Sequence, residues 1–253
     1  MDDKIKQLQA MIDESERVVF FGGAGVSTES GIPDFRSKDG LYNKPDVNFA
    51  QYQPEYLLSH SCLVREPEVY FEFHRQKMDT RKVEPNAAHK YLAKLEETGK
   101  LIGVVTQNID GLHQKAGSKK VYEIHGSALR NYCSKCGKEY PEDYIFESKE
   151  PVPHCDCGGV IRADITLYEE SLPDEAVSGA VRAISTADML IIGGTSLTVY
   201  PAAGFVNYFR GKNLVVINRD PLNLRIGQDV LMIQEKIGEV FTKLAELQNI
   251  SLD

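Results

Sequence analysis

At 253 residues, 42% of them hydrophobic and 26% charged, the chain has the make-up of a globular protein able to bury its own core without disulfides or a partner. Its 29 basic residues against 37 acidic ones give a net charge of −8, which argues against a dedicated nucleic-acid binder. No run approaches the roughly 18 apolar residues of a membrane span, and the charged start Met1-Asp2-Asp3-Lys4 lacks the apolar stretch of a signal peptide, so a cytoplasmic protein is expected.

Ile5, Leu8, Met11 and Ile12 recur at helical spacing over residues 3–14. Val18-Val19-Phe20-Phe21 reads as a buried strand running into Gly22-Gly23-Ala24-Gly25, and an unbroken apolar run suits a parallel sheet covered on both faces. Residues 35–62, punctuated by Gly40, Pro45 and Pro54, read as a long functional loop. A helix is expected over 65–80. Asn86 caps another, with Ala87, Ala88, Tyr91, Leu92 and Leu95 on one face. Leu101–Val105 is a strand leading into Thr106-Gln107-Asn108-Ile109-Asp110, and Val121–Ile124 a strand leading to His125-Gly126.

Residues 127–165 break this alternation: they hold four of the five cysteines and read as an insert. A helix over 173–186 follows, then a strand, Met189–Ile192, ending in Gly193-Gly194-Thr195-Ser196. Residues 201–210 read as helical, Leu214–Ile217 as a strand ending at Asn218, and Val230–Ile233 as the last strand. Val240, Phe241, Leu244 and Leu247 mark a closing helix. The alternation predicts an α/β fold with a doubly wound, mostly parallel sheet. Such sheets bind ligands beyond the carboxyl ends of their strands, where the glycine-rich and polar segments fall here.

Gly23-Ala24-Gly25 would let a backbone approach a pyrophosphate, although Thr28 stands where G-x-G-x-x-G needs its third glycine. A plain strand-to-helix turn explains that sequence equally well; Gly193-Gly194 supplies a second such turn, and two in one sheet favour a dinucleotide. Cys133-x2-Cys136 with Cys155-x-Cys157 is sharper: four thiolates make a closed, structural Zn²⁺ site, the alternative being free thiols. Cys62 stands alone and reads as a small apolar residue. His125, at a strand end, could exchange a proton near neutral pH. Asn108 and Asp110 share another strand end, where turn capping is their ordinary role.

Taken together these segments resemble the sirtuins, the NAD-dependent protein lysine deacylases. The resemblance lies in Gly23-Ala24-Gly25-Val26-Ser27, Gly31-Ile32-Pro33-Asp34-Phe35-Arg36, Thr106–His113, Ile124-His125-Gly126, the cysteine quartet, Gly194-Thr195-Ser196-Leu197 and Asn218, in that family's order. It implies one catalytic domain over 1–253 with a Rossmann-like sheet. The implied small domain is built from the zinc-ribbon insert 127–165 and a cofactor loop and helical part over 35–80. By matching motif, NAD would be contacted by Ala24, Thr28, Phe35, Arg36, Gln107, Thr195, Ser196, Asn218 and Ile237. Asn108, Ile109 and Asp110 would line the nicotinamide pocket. His125 would be the general base on the ribose hydroxyls, Asn108 would position the ribose and a water, and Phe35 would exclude water. Cys133, Cys136, Cys155 and Cys157 would hold Zn²⁺.

The implied reaction consumes NAD and an acetylated lysine of a protein or peptide, and yields free lysine, nicotinamide and O-acetyl-ADP-ribose. The implied partners include neither nucleic acid nor membrane. ADP-ribosyl transfer shares its first step. A dehydrogenase on the same fold is disfavoured by the broken glycine fingerprint and by the lack of a clear acidic residue after a second strand. A nucleic-acid-recruiting zinc ribbon is disfavoured by the charge. Arg162-Ala163 and Tyr168-Glu169-Glu170 depart from the family's Arg-Pro and aromatic-Gly-Glu, and Glu169 adds negative charge near the expected peptide-binding edge. Phe71 and His74 stand nearest to the Tyr-x-x-Arg pair with which desuccinylating sirtuins hold an acyl carboxylate, so acetyl is expected over succinyl. Arg65, Arg75 and Arg81 are the cations that a shifted register could bring in.

Overall fold

In the computed structural model, which describes residues 2–35, 37, 40–43, 48–222 and 229–253, helix α1 (Asp2–Glu14) leads into strand β1 (Val18–Gly22). Helices α2 (Pro54–Leu57), α3 (His60–Arg65), α4 (Pro67–Lys77) and α5 (Ala87–Glu97) precede β2 (Leu101–Thr106), α6 (Leu112–Lys115) and β3 (Val121–Glu123). The cysteine-rich segment gives β4 (Gly126–Cys133), β5 (Glu139–Tyr140), α7 (Tyr144–Glu147) and β6 (Ile161–Ile165). Then come α8 (Asp174–Thr186), β7 (Met189–Gly193), β8 (Asn213–Ile217), β9 (Val230–Ile233) and α9 (Ile237–Gln248). Among the described residues no helix is long and apolar enough to cross a membrane.

The sheet order β3-β2-β1-β7-β8-β9 is parallel throughout, the doubly wound arrangement expected of the strand–helix alternation. Alternation of side chains along β1 explains its unbroken apolar run. Val18 and Phe20 enter the core shared with α1, α5 and α9, while Val19 and Phe21 enter the core beneath α8. Each is fully buried, and such a side chain contributes about 1.5–3 kcal/mol. The order reverses between β1 and β7, and this switch point opens the crevice where the site lies.

The stretch 35–62 contains two short helices rather than loop alone. Ser59 caps α3 by accepting the Cys62 N–H at 3.1 Å. The helix expected over 65–80 is α4, Pro67–Lys77; Arg65 closes α3 instead, because Pro67 cannot donate into a continuing helix and starts a new one. The run at 201–210 is a 3₁₀ helix over Ala202–Tyr208. The second sheet, β5-β4-β6, is antiparallel, and its apolar residues pack with Cys62, Tyr70 and Phe71 from α3 and α4. A further cluster joins Phe49, Leu57, Leu58, Phe73 and Met78 to Phe35, Ile109 and Tyr168, filling the space between these helices and the crevice.

Candidate active site

Two glycine turns form the floor. Gly25 donates its N–H to the Gly194 carbonyl at 2.8 Å, and a Cβ on Gly25 would fall 2.8 Å from the Gly194 Cα. The glycines are therefore required by close approach of the β1 and β7 turns to each other. No long helix follows β1. Ala24–Val26 and Thr28–Ser30 are 3₁₀ turns, the second stopped by Gly31 in a left-handed conformation (φ 93°), so no long helix dipole points at this turn. Ala24 is half-buried, and Thr28 is exposed with its hydroxyl donating to the Gly25 carbonyl at 3.0 Å.

The end of β2 supplies the polar wall. Gln107 donates its backbone N–H to the Gly22 carbonyl (3.0 Å) and its side-chain amide to Thr195 Oγ1 (3.0 Å), tying β2 to both glycine turns. Asn108 Nδ2 donates to Ser27 Oγ at 3.0 Å, and Ser27 donates to Asp110 Oδ2 at 2.7 Å. Asp110 Oδ1 accepts the Leu112 N–H at 2.9 Å. Burial raises the Asp110 pKa above the usual carboxylate value, against hydrogen bonds from Leu112, Ser27 and Asn108 that lower it. His89 Nε2 stands 3.5 Å from Ser27 Oγ, while its Nδ1 accepts the Asn86 N–H at 3.3 Å in the capping box of α5.

His125 lies between β3 and β4, the link between the two sheets. Its Nδ1 is 2.9 Å from the Gln107 carbonyl. A carbonyl only accepts, so Nδ1 carries the proton and Nε2 keeps its lone pair. Burial lowers the His125 pKa, with the Gln107 hydrogen bond opposing, and favours this neutral form. Gly126 follows at φ 75°, where a Cβ would collide with the Asp164 carbonyl.

The structure thus brings His125, Gln107, Asn108, Ile109 and Asp110 to the carboxyl end of β2 and β3, beside Ala24, Thr28, Thr195 and the exposed Ser196. Phe35 is half-buried and packs on Tyr42 with ring centres 5.3 Å apart. Asn218 follows β8 and donates to the Asp220 carbonyl at 2.8 Å. Arg36 lies outside the described residues. Ile237, the first residue of α9, is buried with its side chain packed against Gly193, which leaves its main chain as the group that would meet a cofactor. The Glu29 carboxylate accepts the next N–H, that of Gly238, at 2.6 Å. Ser27 and His89 were not singled out from sequence. They lie 62 positions apart, and the only local signal, His89 three residues after the Asn86 cap, reads as helix capping.

The four clustered cysteines converge. All four Sγ atoms lie within 4.8 Å of one another, with Cys133 to Cys157 at 3.5 Å and Cys136 to Cys155 at 3.7 Å. Zn–S bonds of about 2.3 Å in a tetrahedron set sulfur–sulfur edges of about 3.8 Å, so the donor set fits Zn²⁺ without rearrangement.

At the expected peptide edge, Glu169 adopts a left-handed backbone (φ 76°), where glycine is the easier residue. Its carboxylate accepts the Ser61 N–H at the start of α3 (2.8 Å). Glu170 pairs with the buried Arg162 through both oxygens, at 2.5 and 2.9 Å, and with His60 Nδ1 at 2.9 Å. The charge added by Glu169 is thus held by the protein's own main chain.

A sequence profile of the Sir2 family matches residues 23–201. The chain is 56% identical over 249 residues to an NAD-dependent protein deacetylase of Clostridium perfringens, covering 97% of this chain and 100% of that one. It is 54% identical over 239 residues to the NAD-dependent protein deacetylase of Clostridium acetobutylicum, covering 94% and 96%. Its fold matches a Sir2 variant solved with a deacetylated p53 peptide and 3'-O-acetyl ADP-ribose. The TM-score is 0.88 at 34% identity, over 98% of this chain and 99% of that one. With its fold, its cysteine cluster and these likenesses in agreement, the chain belongs to the Sir2 family.

Proposed function

We propose that the protein is an NAD-dependent protein-lysine deacetylase, releasing free lysine, nicotinamide and O-acetyl-ADP-ribose. The observation that carries this reading is the His125 imidazole. It is neutral, protonated at Nδ1 by its bond to Gln107, and it belongs to the same strand-end crevice as the Asn108–Asp110 wall. NAD, consumed as co-substrate, supplies the nicotinamide leaving group and the ribose carbon that the acyl oxygen attacks. His125 Nε2 takes the proton from a ribose hydroxyl as general base. Asp110, buried and held by Ser27 and Leu112, accepts from the nicotinamide amide, and Asn108, anchored on Ser27, positions the ribose and a water. Ala24, Thr28, Gln107, Thr195, Ser196 and Asn218 bind the rest of the dinucleotide, Ile109 lines the nicotinamide pocket, and Phe35 keeps bulk water out.

The acyl-lysine partner is a protein or peptide segment. It would lie as an extended chain against the segment containing Tyr168 and Glu169, held by main-chain hydrogen bonds. The domain reading is one catalytic unit. Residues 127–165 are its zinc-binding insert, and 35–80 the cofactor loop and helical part of the small domain. Cys133, Cys136, Cys155 and Cys157 would hold one Zn²⁺, closed to water and structural in role. A cysteine quartet arranged to hold a metal ion supports a reducing compartment, the cytoplasm.

Mass spectrometry of an acetylated peptide incubated with NAD tests the reading. The expected products are a peptide lighter by one acetyl group, nicotinamide and O-acetyl-ADP-ribose. ADP-ribosylated protein with intact acetyl-lysine, or NADH, would overturn it.

A further inference from the structure

Strand β4 does not run straight from the His125 turn to the cysteines. Ser127 pairs with Asp164 of β6 and Asn131 with Ala163, so Ala128, Leu129 and Arg130 are looped out against a single step of the partner strand. Such a bulge re-aims the groups it carries. Here Ala128 donates its N–H to the Ile109 carbonyl at 2.9 Å. Leu129 rests on Gly111, where a Cβ would come within 2.7 Å of the Leu129 Cδ1. The bulge therefore braces the Asn108–Gly111 turn from outside.

Its far end is closed by charge. Arg130 Nη1 donates to Glu123 Oε2 at 2.5 Å, and Nε donates to Asp164 Oδ2 at 2.9 Å. Glu123 ends β3, just before His125, and Asp164 faces Ser127, just after it. One guanidinium thus ties together the strands that enter and leave the His125 turn. The Glu123 side chain is only 10% exposed, so water would screen it poorly if it lost its partner.

We propose that Arg130 is a positioning residue for the nicotinamide end of the site, acting through the β4 bulge on Ile109 and Gly111 and through Glu123 and Asp164 on the His125 turn. The proposal rests on the deacetylase reading above. Without the guanidinium, the nearly buried Glu123 carboxylate loses its partner, β3 and β6 lose their shared tie, and the bulge loosens. A lysine reaches one carboxylate as a point charge but lacks the planar fork that spans both, so it restores the clip in part.

The test compares wild type with Arg130→Ala, Arg130→Lys and Leu129→Ala in the full zinc-loaded protein. KM is measured for NAD and for one acetylated peptide, and NAD binding by calorimetry. Arg130→Ala is expected to raise the NAD KM and Kd about five- to tenfold while the peptide KM stays within about twofold. Arg130→Lys should recover part of that loss. Leu129→Ala, which disturbs the brace without touching a charge, should show the same NAD-selective defect. NAD constants within twofold of wild type in Arg130→Ala would overturn the proposal. So would a loss shared equally with the peptide, or a lysine variant no better than alanine. Should Arg130→Ala fail to fold, Leu129→Ala decides on the same readouts. A wild type that binds NAD but deacetylates no peptide overturns the reaction assignment instead, and the calorimetric comparison still judges the clip.

Discussion

His125 Nδ1 is committed to the Gln107 carbonyl, so one nitrogen only is left for chemistry, and replacing the ring removes it without opening a core. His125→Ala should keep its thermal midpoint and its zinc while turnover falls about 10²–10⁴-fold, the usual cost of losing a general base. A thermal melt beside a deacetylation assay checks both halves. Because burial lowers the His125 pKa from its ordinary value of 6.5, the acid limb of kcat/KM should fall below the ordinary histidine range. A limb at or above that range would contradict the assignment. Acyl choice also belongs to single residues. Phe71 is fully buried in the cluster with the cysteine-rich sheet, and His74 is stacked on Phe146 of α7 and held neutral by burial. The face of α4 that joins the Phe35 and Ile109 cluster carries Val69 and Phe73 instead. Arg75 spends its donors on the Ile145, Glu150 and Pro151 carbonyls, Arg81 on Asp79 and Glu147, and Arg65 is exposed. Neither Phe71 nor the neutral His74 offers a charge to an acyl carboxylate, so kcat/KM for acetyl-lysine should exceed that for succinyl-lysine by about 10²-fold or more on one peptide.

Among the elements, the antiparallel sheet β5-β4-β6 is small and depends on its cysteines. Cys133 and Cys155 are buried in the same cluster as Tyr70 and Phe71 of α4, so the ligand site and the helical packing form one unit. Metal binding contributes on the order of 10 kcal/mol in peptide models of such sites. Cys133→Ala should therefore lose close to one equivalent of zinc, lower the melting midpoint and lose activity as a consequence. Metal analysis of the purified variant beside its melting curve checks this. The strands were legible in the sequence because parallel pairing buries both faces, which leaves apolar runs such as Met189–Ile192 that end abruptly at glycine. The helical region was less so. Pro67 marks a start that the apolar pattern over 65–80 runs across. Which face of α4 meets the crevice depends on packing against α7 and β6, elements about 70 to 100 positions away. The Ser27–His89 contact was illegible for the same reason.

Taken as a whole, the molecule keeps three imidazoles inside. His74 and His89 are each pushed down to about 4 by burial, and His113 is lowered well below 6.5 by burial and by His89. The unfolded chain takes up these protons near 6.5, whereas in the folded chain His74 and His89 take theirs up near 4 and His113 well below 6.5. Stability from the neutral rings is therefore complete above pH 6.5 and is lost as pH falls from 6.5 towards 4. At about 1.4 kcal/mol per pKa unit, His74 and His89 would each cost about 3 kcal/mol across that window. Urea unfolding at pH 7 and pH 5 should show a clear loss. His74→Phe, which keeps the stack between Tyr70 and Phe146, should shrink it.

The contact of Gly25 with Gly194 also bears on how the protein is made. Strand β1 leaves the ribosome well before its neighbour β7, which begins at Met189, with the whole of the second sheet translated in between. One edge of β1 lacks its partner strand until β7 is translated. Non-local pairing of this kind is slow, because a long loop must close before any contact compensates its entropy. The crevice floor can therefore be completed only after β7 has been translated, and a nascent chain stalled before Met189 would expose an aggregation-prone strand in its place.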